Sequence, residues 1–349
     1  MRDMPNLDLL RACAVLSVVL EHVLIAYKIY WIGYWEIRWV GVVGVFLFFV
    51  HTSLVLMWSL ERKPHTLDFY IRRIFRLYPL ALAVLAITLL FHAPVSSTLT
   101  DFFRFQPPKG VLDVVGAALL IPNIVGGYVP VGVMWTLPYE VEMYLCLPVI
   151  FFFVRSNFNR WTLLLLWVFV VAICRPLFRD TPHNFFLCIP YFLPGIMAYV
   201  GFRRTRPFLP AWTFPLALAV LWSVFLVRPG WRPADLLCLA VGLGLPFFHQ
   251  ITLKPLLRIS HLIAKYSYGA YLVHPFSITL GLYFMPHQPL ALQIAVILIS
   301  LVVFSVAAYH LLEYPMIRLG SRLAKQASNR FEQHDINVAR NAPTPELIA

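Results

Sequence analysis

The chain has 349 residues, 60% of them hydrophobic and 13% charged, with a formal charge of +12 at pH 7. A mean hydropathy of +0.76 and about half the charge of an ordinary soluble domain exclude a water-soluble globular protein. Apolar stretches of roughly 17–22 residues can each cross a bilayer as a helix, whereas a barrel would show short alternating segments.

The expected fold is therefore an all-α, polytopic transmembrane bundle of about ten spans. They fall near residues 8–28, 40–60, 77–94, 136–154, 161–176, 185–202, 208–227, 234–251, 266–285 and 289–312. A half-length apolar piece at 111–125 fits a re-entrant or interfacial segment. The first span lacks a small-residue cleavage site and is read as a retained helix, not a leader. An even number of crossings puts both termini on one side. Most of the 28 lysines and arginines then collect in the segments on that side, which makes both termini cytoplasmic. The positive balance is that topology signal plus attraction to anionic lipid. No basic face interleaved with exposed aromatics suggests nucleic-acid binding. Residues 1–315 form the membrane domain, and 316–349 a polar cytoplasmic tail, an amphipathic stub running into disorder.

Five constellations could carry chemistry. In LDLLRACAVLSVVLEHV, Arg11 and His22 lie eleven positions apart, which is three helical turns plus about 20°, so they share one face roughly 16 Å apart. Arg11 also fits an anchoring arginine that snorkels or pairs with Asp8, and His22 an interhelical hydrogen bond. Glu21 projects about 100° round the helix from His22 and is not expected to orient it; it suits an outside-open vestibule or a pairing with a basic group. In DFYIRRIFRLYP, Arg72, Arg73 and Arg76 cluster at i,i+3 and i,i+4 spacing and suit a phosphate, or a positive-inside anchor. In MWTLPYEVEMYL, Glu140 and Glu142 enter an apolar span on different faces. Glu140 suits a sugar hydroxyl, a base or a structural ion pair, and Trp135 and Tyr139 an aromatic belt or a sugar platform. In AKYSYGAYLVHPF, His274 precedes Pro275 and is a hydrogen-bonded packing histidine or a catalyst. In LLEYP, Glu313 could meet the arginine cluster.

The five cysteines show no CxxC and no metal-ligand spacing. They read as packing residues, with a Cys174–Cys188 disulfide as a minor alternative. No metal site is expected.

Taken in order, LDLLRACAVLSVVLEH, GVFLFFVHTSLVL, RRIFRLYP, WTLPYEVEMYL, YSYGAYLVHP and LLEYP resemble the acyltransferase 3 family of bacterial integral-membrane O-acyltransferases. The resemblance runs from about Leu7 to Pro315. It implies transfer of an acyl group, often acetyl, from an acyl-CoA to a hydroxyl of a surface polysaccharide, a lipid-linked glycan or a secondary metabolite. It also implies an arginine and a histidine separated by ten residues (Arg11, His22), a cytoplasmic arginine motif (Arg72, Arg73, Arg76), and a W-S-L-x-x-E motif (Trp135, Glu140). Two departures stand out. The usual F-F-x-I-S-G reads FFVHTS, with His51, Thr52 and Ser53 in place of Ile, Ser and Gly. Pro138 and Tyr139 stand where the family often has Ser and Val.

The expectation is a bacterial inner-membrane O-acyltransferase using acyl-CoA, with acetyl-CoA first, and a carbohydrate acceptor. His22 and Glu140 are its candidate catalytic residues. Arg11, Arg72, Arg73 and Arg76 are candidates for holding the donor, and Trp135, Tyr139, Glu142 and His274 for holding the acceptor. His22 would act as general base or transiently accept the acyl group. The rivals are a proton-coupled secondary transporter or glycan exporter relaying protons through Glu140, His22 and His274, and a non-catalytic scaffold. Against the transporter stand the missing inverted repeat and the lack of glycine-broken helix pairs.

Overall fold

The computed structural model describes residues 4–93, 105–156, 159–178 and 185–341. Among these, the chain is a helical bundle with one two-stranded hairpin. Helix α1 (Pro5–Ala26) opens with proline in its first turn, where the missing N–H has no helical partner to lose. The hairpin follows, β1 (Trp31–Ile32) pairing with β2 (Trp35–Glu36) in antiparallel register Trp31↔Glu36. Gly33 at its tip takes a φ of +59°, which a side chain would resist. Then come α2 (Arg38–Arg62) and α3 (Thr66–Phe91).

The short helix α4 (Val111–Ala118) occupies the expected half-length segment. Asp113 accepts from the backbone N–H of Lys109 at 2.7 Å, and Tyr78 of α3 donates to the carbonyl of Leu119 at 2.8 Å. A 3-10 turn (Gly132–Thr136) leads into α5 (Leu137–Ser156). Helix α6 (Arg160–Phe169) continues through a π-turn (Val170–Cys174) into α7 (Arg175–Leu177). Helices α8 (Phe185–Arg204), α9 (Thr213–Val227), α10 (Trp231–Gly244) and α11 (Lys254–Leu282) follow. Helix α12 (Leu290–Ala308) passes through a second π-turn (Tyr309–Glu313) into α13 (Tyr314–Asn341).

A helix occupies each of the ten expected positions, and seven are long and apolar enough to cross a membrane. Helices α9 and α10 have only 15 and 14 residues, and α11 falls outside the seven. The third expected span begins earlier than hydropathy suggests, because α3 includes RRIFRLYP from Thr66 onward. The boundary expected at 315/316 falls inside the continuous α12–α13 run. Arg72 donates to Ser321 at 3.0 Å, and Ala324 is fully buried, so α13 docks along α3. Of the tail expected to run into disorder, 316–349, the part up to Asn341 is helical; residues 342–349 and the end of the third span at 94 lie outside the described residues.

Burial sorts the helices. In α2 and α8, 72% of the apolar window is buried inside the protein, against 22% in α12. A helix apolar all round with so little protein cover presents its flanks to lipid. The central helices approach closely where small residues meet. A Cβ on Gly44 would strike the α1 backbone at Ala14, and one on Gly195 the α2 backbone at Val50. Ser53, standing where the family motif has glycine, donates to the Phe192 carbonyl of α8 at 2.7 Å. The glycine that keeps this contact tight is Gly195, on the opposite helix.

Inside α8, Pro194 cannot donate to the Pro190 carbonyl four residues back. The Trp167 indole N–H fills that vacancy at 2.9 Å. Arg175 grips Asp235 of α10 through two bonds of 2.6 and 2.9 Å and lies over the Tyr191 ring. Asp235 is 2% exposed, so removing its partner strands a charge. Arg175→Ala should lower stability by about 3–5 kcal/mol, read as a drop in unfolding temperature in detergent. Arg175→Met with Asp235→Leu should recover most of that loss. All five cysteines are free, Cys174 and Cys188 included, which removes the disulfide alternative.

Candidate active site

Helices α1 and α11 run parallel and are joined by three polar contacts. Asp8 meets His261 at 2.9 Å, the Arg11 Nε donates to Ser267 at 2.6 Å, and His22 Nδ1 lies 2.6 Å from His274 Nε2. Asp8 is thus paired across the helices and not with Arg11, as sequence spacing allowed. The helical repeat accounts for the pattern. Ser267, Tyr271 and His274 are spaced by four and three residues and fall on the face of α11 turned to α1.

At the Arg11 end, a guanidinium cluster is threaded with carboxylates. Arg11 lies 5.2 Å from the centre of the Phe48 ring, and Arg73 lies 5.8 Å from that of Phe69. Arg76, Arg11 and Arg73 all interact electrostatically with Glu140, which also accepts a hydrogen bond from Tyr144. Glu313, buried in the π-turn after α12, interacts with Arg76 and Arg11. Neither Arg73 Nε nor Glu313 Oε1 has a hydrogen-bond partner among the described residues. Three guanidinium groups against two carboxylates leave a net positive, incompletely paired site. His51, the departure from the family's isoleucine, is buried within reach of Arg11 and Arg76.

Arg72 faces elsewhere. It makes a forked pair with Asp68 at 2.7 and 3.1 Å and holds Ser321, so it ties α13 to α3. Glu140 belongs to the arginine cluster and does not line the His22 cavity.

At the other end of α1, His22 and Glu21 border a cavity of about 470 Å³. Its walls are aromatic, with Trp39, Trp135, Trp231 and Tyr271 around it and Trp31 of the hairpin at the rim; Glu36 and Arg38 add charge. Trp39 donates to Glu36 at 3.1 Å, and Tyr271 donates to the Val133 carbonyl at 2.7 Å. Trp135 lines the cavity. Tyr139 is buried behind it, edge-on at 6.1 Å. Glu142 accepts from Asn123 at 3.3 Å and lies off the cavity, as does His274, which is fully buried behind His22.

Residues 4–310 match the family described as an acyltransferase domain. The chain belongs to the acyltransferase 3 family. No curated protein and no solved structure shows significant similarity to it. Membership makes the protein a multi-pass membrane acyltransferase, and the two ends of α1 are the places to look for its chemistry. An imidazole that faces a cavity can deprotonate a bound hydroxyl, and guanidinium groups in excess of their carboxylates can hold a polyanion.

Sequence reasoning missed Glu21. Its Oε2 lies 2.9 Å from His22 Nε2, although adjacent helical positions diverge by about 100°. The flexible side chain bends round because α2 offers no Cβ there, and one on Gly41 would fall 2.5 Å from Oε2. Gly41→Ala should therefore displace Glu21 and slow the acyltransferase by roughly ten- to a hundredfold, measured as the initial rate of transfer.

Proposed function

We propose that this acyltransferase moves an acyl group, acetyl in the first instance, from acyl-CoA to a hydroxyl of a carbohydrate or lipid-linked glycan in a bacterial inner membrane. The observation that carries the reading is the division of α1. Arg11 stands in a cluster of three guanidinium groups that outnumbers its two carboxylates, and His22, eleven residues on, faces an aromatic cavity. Roughly 16 Å of helix separates them, a length similar to the pantetheine arm of CoA. Donor phosphates would engage Arg11, Arg73 and Arg76 through charge-assisted hydrogen bonds, and Arg72 would stabilise the cluster's frame. Indole faces suit the apolar faces of sugar rings, and Glu36 and Arg38 can engage hydroxyls.

Direct transfer needs only these groups. The acceptor oxygen attacks the thioester carbonyl while His22 Nε2 takes the hydroxyl proton. The tetrahedral intermediate collapses with cleavage of the C–S bond, and the His22 imidazolium gives its proton to the departing thiolate, releasing free CoA and restoring the neutral imidazole. Glu140 acts here on the arginines, as a counter-charge.

Two carboxylates already occupy the guanidinium field, so polyphosphate must compete with them. Glu313→Gln removes one competitor and should tighten acetyl-CoA binding about fivefold, the equivalent of roughly 1 kcal/mol, read by calorimetric titration in nanodiscs. The reading as a whole is tested by incubating the purified protein in nanodiscs with radiolabelled acetyl-CoA and a host glycan or lipid extract. Label in the extract supports it. Failure of the folded protein to bind the donor would overturn it in favour of transport.

A further inference from the structure

We infer that His274 is the positioning residue of His22, fixing through its own backbone contacts the tautomer that places the His22 lone pair on Nε2, the nitrogen turned to Glu21 and the cavity. The inference deepens the acyl-transfer reading and rests on it for its kinetic consequence. His274 is 0% exposed and His22 7%. Their rings are nearly parallel, inclined by 22° with centroids 4.8 Å apart, and Nδ1 of His22 lies 2.6 Å from Nε2 of His274.

The proton positions follow from the partners. His274 Nδ1 is 3.1 Å from the carbonyl of Ala270 and also meets that of Tyr271. Carbonyl oxygens only accept, so this nitrogen carries a hydrogen. Proline at 275 explains the vacancy, since Pro275 has no N–H to give the Tyr271 carbonyl four residues back. His274 Nε2 is then a lone pair, and the short contact requires His22 Nδ1 to be the donor. The remaining His22 nitrogen, Nε2, points to the cavity and to Glu21 Oε2 at 2.9 Å.

One chain of contacts thus runs from two backbone carbonyls through two imidazoles to a carboxyl at the cavity wall. With the hydrogen of His22 on Nδ1, its Nε2 accepts at 2.9 Å from a protonated Glu21 carboxyl in the resting site. An acceptor hydroxyl takes Glu21's place at Nε2, and the imidazolium that forms keeps its Nδ1–H on His274 Nε2. Buried carbonyls and a second imidazole do for His22 what a buried carboxylate does in a serine-hydrolase triad. They orient the ring, set its tautomer and stabilise its charge.

The test combines nitrogen-15 spectroscopy of selectively histidine-labelled protein in nanodiscs with transfer kinetics. Subtracting the spectrum of His22→Ala identifies the His22 nitrogens. The expected result is a protonated Nδ1 on His22 in the wild type and in His274→Gln, whose side-chain oxygen supplies an acceptor near the imidazole Nε2 position. In His274→Leu the tautomers should mix, and kcat should fall on the order of a hundredfold with donor KM changed less than about twofold. His274→Gln should recover at least a tenth of the lost rate. A wild-type His22 protonated on Nε2 with bare Nδ1 would overturn the inference whatever the kinetics. So would wild-type kcat in His274→Leu. If the wild type transfers nothing, the function proposed above fails, and the spectrum still decides the role of His274.

Discussion

His22→Ala should reduce acyl transfer by roughly 10²–10⁴-fold, the range ascribed to a positioned general base, and leave donor affinity within about twofold. The expectation follows from separation within one helix. His22 lies at the aromatic cavity, and the guanidinium groups gather around Arg11, eleven residues away. A substitution at one end removes the proton acceptor without touching the residues proposed to hold phosphate. Loss of binding together with turnover would instead mean that His22 supports the fold. His22→Gln refines the test. It keeps polar contacts toward His274 and Glu21 but has no basic nitrogen, so it should bind donor normally and transfer as slowly as His22→Ala. A scaffold protein would tolerate both substitutions, and a proton-coupled transporter would show neither donor binding nor transfer.

Much of the frame was legible in the sequence because membrane helices obey strong local rules. Backbone groups in lipid must be satisfied within the segment, so apolar length alone located a helix at each of the ten positions. Hydropathy could not say which of those helices span, since α9 and α10 are short and α11 is more polar. The shared face of Arg11 and His22 followed from the helical repeat. What escaped depended on tertiary neighbours or on side-chain reach. His22 and His274 are 252 positions apart, and no spacing rule joins them, although Pro275 beside His274 marked a place where the helix leaves carbonyls free. Glu21 was set aside on backbone directions alone, yet its three side-chain torsions and the gap above Gly41 bring it onto His22. For Arg72 the signal was present in the sequence and went unread. Asp68 stands four residues before it, the spacing of a helical ion pair, and that pair takes Arg72 out of the cluster. Glu140 entered a span at the right place for chemistry, but a one-dimensional reading could not see three guanidinium groups around it.

Arg11→Ala should weaken acetyl-CoA binding by about ten- to a hundredfold, since a hydrogen bond to a charged group contributes roughly 1.5–3 kcal/mol, and should also destabilise the fold. Arg11 donates to Ser267 at 2.6 Å, rests against Phe48, and shares Glu140 and Glu313 with Arg76. Without it, two carboxylates in the cluster rely on the remaining arginines, and breaking such a buried pair costs about 3–5 kcal/mol. Arg11→Lys separates the two effects. A lysine restores one positive charge, so the unfolding temperature should recover substantially. It cannot reproduce the guanidinium fork that holds Ser267 through one nitrogen while presenting others to phosphate, so donor binding should remain well below wild type. An arginine serving only to anchor α1 at a membrane surface behaves differently. Lysine snorkels as well as arginine does, and Arg11→Lys would then match wild type in both calorimetric binding and thermal unfolding. Divergence of those two readouts in a single variant therefore distinguishes a donor-binding arginine from a membrane anchor.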